Sequence, residues 1–427
     1  MTKDISRTRP RVGHDCGCSH VLSRDYDFRA NRRRFMLDGL AAIGGMAAGL
    51  SLPAGFSPAM AETDPTLRIG YLPITDATSL LTAYAMGFYE DEGVEAEEPE
   101  LIRSWSALVE GFARDRFNLV HLLKPIPVWM RYNNDFPVKI LAWAHVNGSG
   151  LVVGGRSGIE SFSDLGGTQI AVPYWYSVHN TLLQMAIREA GLEPVIQAQD
   201  ALLGPNQVNL LILPPPEMPA SLAAGQIDGY IVAEPFNAAG ELLAGGRLLR
   251  FTGDIWENHP CCVVCMNETR VNANPAWTQR VINAVVRGAQ YAQTHKVEVA
   301  EMLSKDGMGY LPAPAPVVKR AMTEYSDPAY AESGATKNAA EFQNGRIDFQ
   351  PWPYPSATRL IVEEMNKTVV SGDATFLAGL DPDFVADDLV DYSYVKAALD
   401  RYPEWQDDPS VNIDGGDPFT RDEVLKL

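Results

Sequence analysis

Basic residues are scarce. The 427-residue chain carries 35 Lys and Arg against 54 Asp and Glu, a net charge of −19. A surface of that sign repels nucleic acid and anionic lipid, which excludes both as partners. Cysteine is sparse too. Two of the five sit at Cys16 and Cys18, and the rest cluster as CCVVC at Cys261, Cys262 and Cys265. An odd cluster of that kind is not the disulfide framework of a small secreted domain. Outside the N-terminal stretch no apolar run is long and clean enough for a permanent membrane span. A metalloprotease HExxH, a phosphate loop and a Ser-His-Asp order are all missing, so nothing argues for a hydrolase.

The N-terminus reads as a targeting segment to be set aside before fold reasoning. Asn31–Leu37, NRRRFML, resembles the twin-arginine export motif. Gly39–Leu52 is weakly apolar with four glycines, and Ala59-Met60-Ala61 supplies small residues for a signal peptidase. Cleavage after Ala61 leaves 427 − 61 = 366 residues and removes Cys16 and Cys18. Residues 1–61 hold nine basic and five acidic side chains, so the mature chain is near −19 − 4 = −23. The expected destination is the periplasm.

Residues 208–237, VNLLILPPPEMPASLAAGQIDGYIVAEPFN, organise the rest. An apolar run at Leu210–Leu213 is stopped by prolines. A helix carrying Met218 and Leu222 ends at Gly225, and a second run, Gly229–Ala233, closes on Glu234-Pro235. This is strand, helix, strand: a crossover unit of a parallel sheet. Leu101–Val128 repeats it, with Pro125 standing as Pro235 does, 235 − 125 = 110 residues earlier. Leu67–Gly93 and Thr168–Gly191 form a second related pair. The expected fold is α/β, two similar lobes each built on a mostly parallel sheet flanked by helices. Lobe 1 takes residues 62–150 and 250–427 with the C-terminal helices, and lobe 2 takes 151–249. Chain crossings are expected near Gly148–Val152 and Leu242–Phe251. The chain should return toward lobe 1 around Leu248–Phe251, and the acidic tail after Pro403 should be loose. Two lobes make a cleft, and clefts bind small molecules.

Three helices are expected to start directly after strands, near Ser79, Ser104 and Ser177, with Thr78 or Ser79 capping the first. Their free N–H groups and positive dipole ends suit an anion without any net positive charge.

The segments GYLPITDATSLL, RSWSALVEGF, HLLKPIPV, LPPPEMPASLAAGQIDGYIVAEPFN and GDIWENHP resemble the nitrate- and bicarbonate-binding proteins of ATP-driven importers, kin of the sulfonate- and taurine-binding proteins. The resemblance covers most of Leu67–Met266. It implies a type II-like periplasmic-binding-protein clamshell that captures a small oxyanion and passes it to a membrane permease and its ATPase, with no enzymatic activity and no cofactor. Carried over onto this sequence, the pocket positions are Trp105, Ser149, His179, Glu234 and Cys262. Asp76 and Thr78, in the loop after the first strand, join them as candidates. Two departures stand out: these relatives have an amide where Ser149 stands and a lysine where Cys262 stands. Lys124, at a strand end before Pro125, is the candidate to replace the lost charge. An anion other than nitrate, organic and larger, fits that change.

The same region also opens an alternative. His259, Cys261, Cys262 and Cys265 place four soft ligands within seven residues, a set suited to zinc, copper(I) or iron. It resembles the Cys-rich iron motif of the thiamine-pyrimidine synthases, clamshell-fold enzymes, although their motif has one more Cys. A buried Cys-rich strand is the plain alternative, since free Cys packs as a small hydrophobe. A sensor subunit that passes its ligand to a receptor is a further alternative to an importer component.

Overall fold

The apolar runs become strands where expected. The structure, a computed structural model, describes residues 64–325, 328–337, 347–408, 411 and 416–427. The twin-arginine motif and cleavage site lie outside the described residues. Chain order gives β1 (Ile69–Tyr71), β2 (Glu100–Leu101), β3 (Leu119–Leu123), β4 (Val138–Trp143), β5 (Val146–Asn147) and β6 (Ser149–Gly154). There follow β7 (Gln169–Val172), β8 (Glu193–Val195), β9 (Gln207–Ile212), β10 (Gly229–Ala233), β11 (Gly246–Phe251), β12 (Cys262–Asn267) and β13 (Ile347–Asp348).

Two main sheets result, ordered β2-β1-β3-β12-β4 and β11-β6-β10-β7-β9-β8. The fold is the expected α/β two-lobed clamshell. In each sheet one strand runs against the others: β12 between β3 and β4, and β6 between β10 and β11. These are the two strands that arrive from the other lobe. The return to the first sheet is therefore made by Cys262–Asn267. Leu248–Phe251, expected to turn back, still pairs with β6 in the second sheet. The apolar pattern could not separate the two cases, because both segments are strands buried on both faces.

The first lobe's core packs the helix Pro275–Thr294 across the helix Thr78–Ala85. Gly288 makes the crossing close: a Cβ there would sit 2.3 Å from the Ser79 carbonyl oxygen. Expected as one helical region, Asp383–Leu399 splits into Pro382–Leu389 and Tyr392–Leu399, because Asp391 caps a new start through Ser393. The described end of the tail, residues 416–427, is bonded to the body of the fold rather than loose. Trp256 Nε1 donates to Glu423 at 2.7 Å, Arg421 donates to the Asn258 carbonyl at 3.0 Å, and Lys426 N bonds the Ile255 carbonyl. Arg421 and Glu423 are nearly buried as a pair, which a count of acidic residues alone would not suggest.

The two crossings touch. Asn147 and Asn258 both have left-handed backbone, φ 56° and 50°, and Asn147 Nδ2 donates to Asn258 Oδ1 at 2.9 Å. Asn tolerates that conformation better than most residues. Gly148 follows at φ 69°, and a Cβ on it would meet Ile347 Cγ1 at 2.8 Å. Gly148→Ala should therefore destabilise the protein by about 1–2 kcal/mol from backbone strain alone, plus the clash, read as a lower denaturant midpoint. An unchanged midpoint would mean that the crossing is not held in this conformation.

Candidate functional site

In open α/β sheets the ligand crevice lies beyond the carboxyl ends of the strands. Here those ends carry Leu72–Thr78 after β1, Lys124 after β3, His145 after β4, Pro173–Ser177 after β7 and Glu234 after β10. The three helices expected to begin near Ser79, Ser104 and Ser177 follow β1, β2 and β7. Ser104 accepts from Ala107 N at 3.3 Å, capping Trp105–Ala113, and Ser177 accepts from Asn180 N at 3.0 Å, capping Val178–Glu189. The first helix departs from expectation. Thr78–Ala85 is entered through a tight turn at Thr75–Ala77, no side chain caps it, and Ser79 Oγ instead donates to the Ala144 carbonyl.

One polar cluster joins the lobes, and all of its members are buried. Cys261 Sγ lies 3.3 Å from Asp76 Oδ2 and donates to it, and lies 3.7 Å from His179 Nε2. His179 Nε2 is 2.9 Å from Ser149 Oγ. His145 Nε2 approaches Asp76 Oδ1 to 3.3 Å. Thr75 stitches the seam from the first lobe, donating through N and Oγ1 to the Glu234 carbonyl at 2.8 and 3.2 Å.

Of the residues expected at the site, Asp76, Ser149, His179 and Cys262 come together here. Trp105 starts its helix and sets its indole edge-on to His121, ring centroids 5.6 Å apart. Thr78 is buried in the first turn of its own helix. The Glu234 carboxylate turns away, accepting from Tyr325 Oη at 2.7 Å and Ala238 N at 3.1 Å. Lys124 is fully buried and donates from Nζ to Thr358 Oγ1 at 2.7 Å, on the C-terminal side of the first lobe. The soft-ligand set read from the sequence is divided. His259 Nε2 pairs with Thr252 Oγ1 at 2.8 Å, and Cys265 Sγ faces the Val263 carbonyl. His121 and His145 were missed. Each is a lone imidazole in or just after an otherwise apolar strand, and that pattern was the available signal.

Burial neutralises the cluster. Desolvation pushes His121 and His179 down to about 3 and His259 to about 4, and His145 well below its usual value. It pushes the Cys261 thiol up to about 11 and Cys262 well above the ordinary range. Asp76 rises to about 7 by desolvation, opposed by hydrogen bonds from Cys262 and Cys261. The Asp76–His145 contact is thus not an ion pair, despite its distance. Desolvation also brings Lys124 down to about 7. Several buried polar atoms have no hydrogen-bond partner among the described residues: Asp76 Oδ1, Thr78 Oγ1, Trp105 Nε1, His121 Nδ1, both His145 nitrogens and His179 Nδ1.

The model of the NMT1-like family matches residues 60–304. The chain belongs to that family. This NMT1-like chain is 24% identical over 339 residues to the nitrate/nitrite binding protein NrtA of Nostoc sp., covering 74% of each chain. It is 26% identical over 293 residues to the nitrate import ATP-binding protein NrtC of Synechocystis sp., covering 64% of this chain and only 41% of NrtC. Among solved structures, the periplasmic nitrate-binding protein NrtA from Synechocystis superposes with a TM-score of 0.66 at 19% identity, covering 79% of this chain and 89% of the other. That likeness confirms the fold. Among the described residues no helix is long and apolar enough to cross a membrane.

Glu234 gives a pH test of the seam. Desolvation raises it to about 7 from an ordinary 4.5, against the lowering effect of Tyr325 and with Glu241 adding to the rise. The fold therefore favours the protonated form. The associated stability is complete below pH 4.5 and is lost as pH rises through 7, on the order of 3 kcal/mol in all. Glu234→Gln keeps an acceptor for Ala238 N. Its stability relative to the unsubstituted protein should rise between pH 5 and pH 8 in chemical denaturation. A difference independent of pH would show that Glu234 is not desolvated.

Proposed function

We propose that this protein is the solute-binding component of an ATP-driven importer, exported to the periplasm by the twin-arginine route, and that it captures a small oxyanion between its lobes. Its role is capture and release, not catalysis. A permease and an ATPase of the kind represented by NrtC are its partners.

The observation that carries this reading is that each lobe holds buried polar atoms without a hydrogen-bond partner among the described residues: Trp105 Nε1 and Thr78 Oγ1 in the first, His179 Nδ1 in the second. A buried polar group without a partner costs about 1–3 kcal/mol, and an oxyanion with several acceptor oxygens supplies the partners. His179 Nδ1 lies in the first turn of a capped 12-residue helix, and Trp105 opens a 9-residue one. The free amides and dipole end at each of these helix starts favour an anion. A neutral imidazole still donates one bond, so the neutrality of the cluster does not oppose the reading. Lys124 is committed to Thr358 and the Glu234 carboxylate to Tyr325 and Ala238, so neither is counted among the direct donors. Ser149 orients His179 through its 2.9 Å bond to Nε2, and Asp76 and Cys262 adjoin Cys261 in the same cluster.

The lobes are in contact around this seam. Trp129 stacks on Tyr176 at 5.5 Å, and His179 is shielded from water. Entry therefore needs the lobes to part, and preference of the ligand for the shut state drives closure.

Calorimetric titration with nitrate, bicarbonate and a short alkanesulfonate tests this. At least one should bind. Trp105→Phe, which keeps the ring contact with His121, should weaken that binding about 10–100-fold, the equivalent of one hydrogen bond to a charged group. Absence of heat and of any thermal shift with all three would defeat the anion reading.

A further inference from the structure

The seam also holds a set of metal-ligating groups, two thiols, a carboxyl and an imidazole, that overlaps the anion donors only at His179. Asp76, Cys261 and Cys262 each present one ligand atom, all within 4.8 Å of one another and all buried. The corners of a tetrahedral zinc site with ordinary Zn–N, Zn–O and Zn–S bonds lie about 3.3–3.8 Å apart. The contacts here have that spacing: 3.3 Å from Asp76 Oδ2 to Cys261 Sγ, and 3.7 Å from Cys261 Sγ to His179 Nε2. A separate observation points the same way. Asp76 Oδ1 and both nitrogens of His145 are buried without a hydrogen-bond partner among the described residues, although Nε2 is only 3.3 Å from Oδ1. Ligating carboxylates are themselves hydrogen-bonded by outer partners, and His145 is placed to supply that bond to Asp76.

We propose that Asp76, Cys261, Cys262 and His179 form a tetrahedral site for a soft divalent ion of the zinc type, with His145 positioning Asp76 from outside. Two thiolates and an imidazole disfavour magnesium and calcium. The ion takes the place of the protons on the two thiols and of any proton held by the Asp76 carboxyl, and all of them leave to solvent. His145 donates to Asp76 Oδ1 and offsets the negative charge left on the carboxylate. Ser149 Oγ, now 2.9 Å from His179 Nε2, must turn aside on loading. The ligand set differs from the one read off the sequence: Asp76 and His179 replace His259 and Cys265, which the fold turns toward Thr252 and the Val263 carbonyl. The site goes beyond the anion reading and stands without it.

Cobalt(II) titration of the full chain, purified without chelator and then stripped, tests the site. One equivalent should bind with thiolate-to-cobalt charge-transfer absorption, and zinc should displace it. Cys261→Ser, Cys262→Ser and Asp76→Asn should each abolish the thiolate band or shift it strongly, whereas Cys265→Ser and His259→Gln should leave it unchanged. His145→Gln should keep the spectrum and lower affinity about 10–100-fold, as loss of an outer partner does. A wild-type protein that melts cooperatively yet gives no thiolate band overturns the proposal, as does an unchanged band in folded Asp76→Asn. The anion titrations, run in parallel on stripped protein, separate the two readings: an anion shift without cobalt binding sinks the metal site alone, and cobalt binding without an anion shift sinks the anion reading alone.

Discussion

Exclusion of water from the seam between the two sheets governs the rest of the structure. Imidazoles, thiols and carboxyls stand there at zero or near-zero exposure. A bare charge in such a place costs several kcal/mol, so burial biases each group toward its neutral form: it lowers the histidines and raises Asp76 and Glu234. Recognition then depends on directed donors and soft ligands. This resolves an apparent conflict in the sequence, where a strongly acidic chain was expected to attract an anion. Long-range charge does not operate inside the seam; local bonds do.

Much of the architecture was legible because it rests on local punctuation. Prolines after apolar runs, Gly225 after a short helix and Ser104 and Ser177 before longer ones mark element ends by steric and hydrogen-bonding rules that need no tertiary context. The repeat at Pro125 and Pro235 likewise exposed the two lobes. What was not legible depends on partners distant in sequence. Lys124 looked like a cleft cation because it ends a strand, but Thr358, 234 residues on, claims its Nζ. Cys261, Cys262 and Cys265 looked like one cluster because they are close in sequence. The fold keeps Cys261 and Cys262 together at Asp76, whereas Cys265, beyond a register shift after Val264, faces the Val263 carbonyl. Asp76 and His145 show nothing at the level of spacing, since only the folded sheet brings them together.

The two lobes are joined by matched elements. Each sheet accepts one antiparallel strand from the other, and the segments leading into those strands meet at Asn147 and Asn258. The seam adds the Thr75–Glu234 contact and the Trp129–Tyr176 stack. A small backbone rotation at the paired asparagines can therefore part the polar cluster while each sheet keeps its own ladder, which is what opening to admit a solute demands.

The C-terminal segment has a consequence for biogenesis. Trp256 and Glu423, 167 positions apart, are bonded to each other, and Arg421 and Lys426 hold the neighbouring backbone. While a ribosome is still adding those late residues, the second crossing is held only by the first, through contacts such as Asn147–Asn258. Its native shape is thus acquired near the end of synthesis, through contacts of high sequence separation that form slowly. A chain arrested before Arg421 would retain both sheets' pairing partners but lack this clasp, and proteolytic attack on such an intermediate should fall first around Ile255–Asn258.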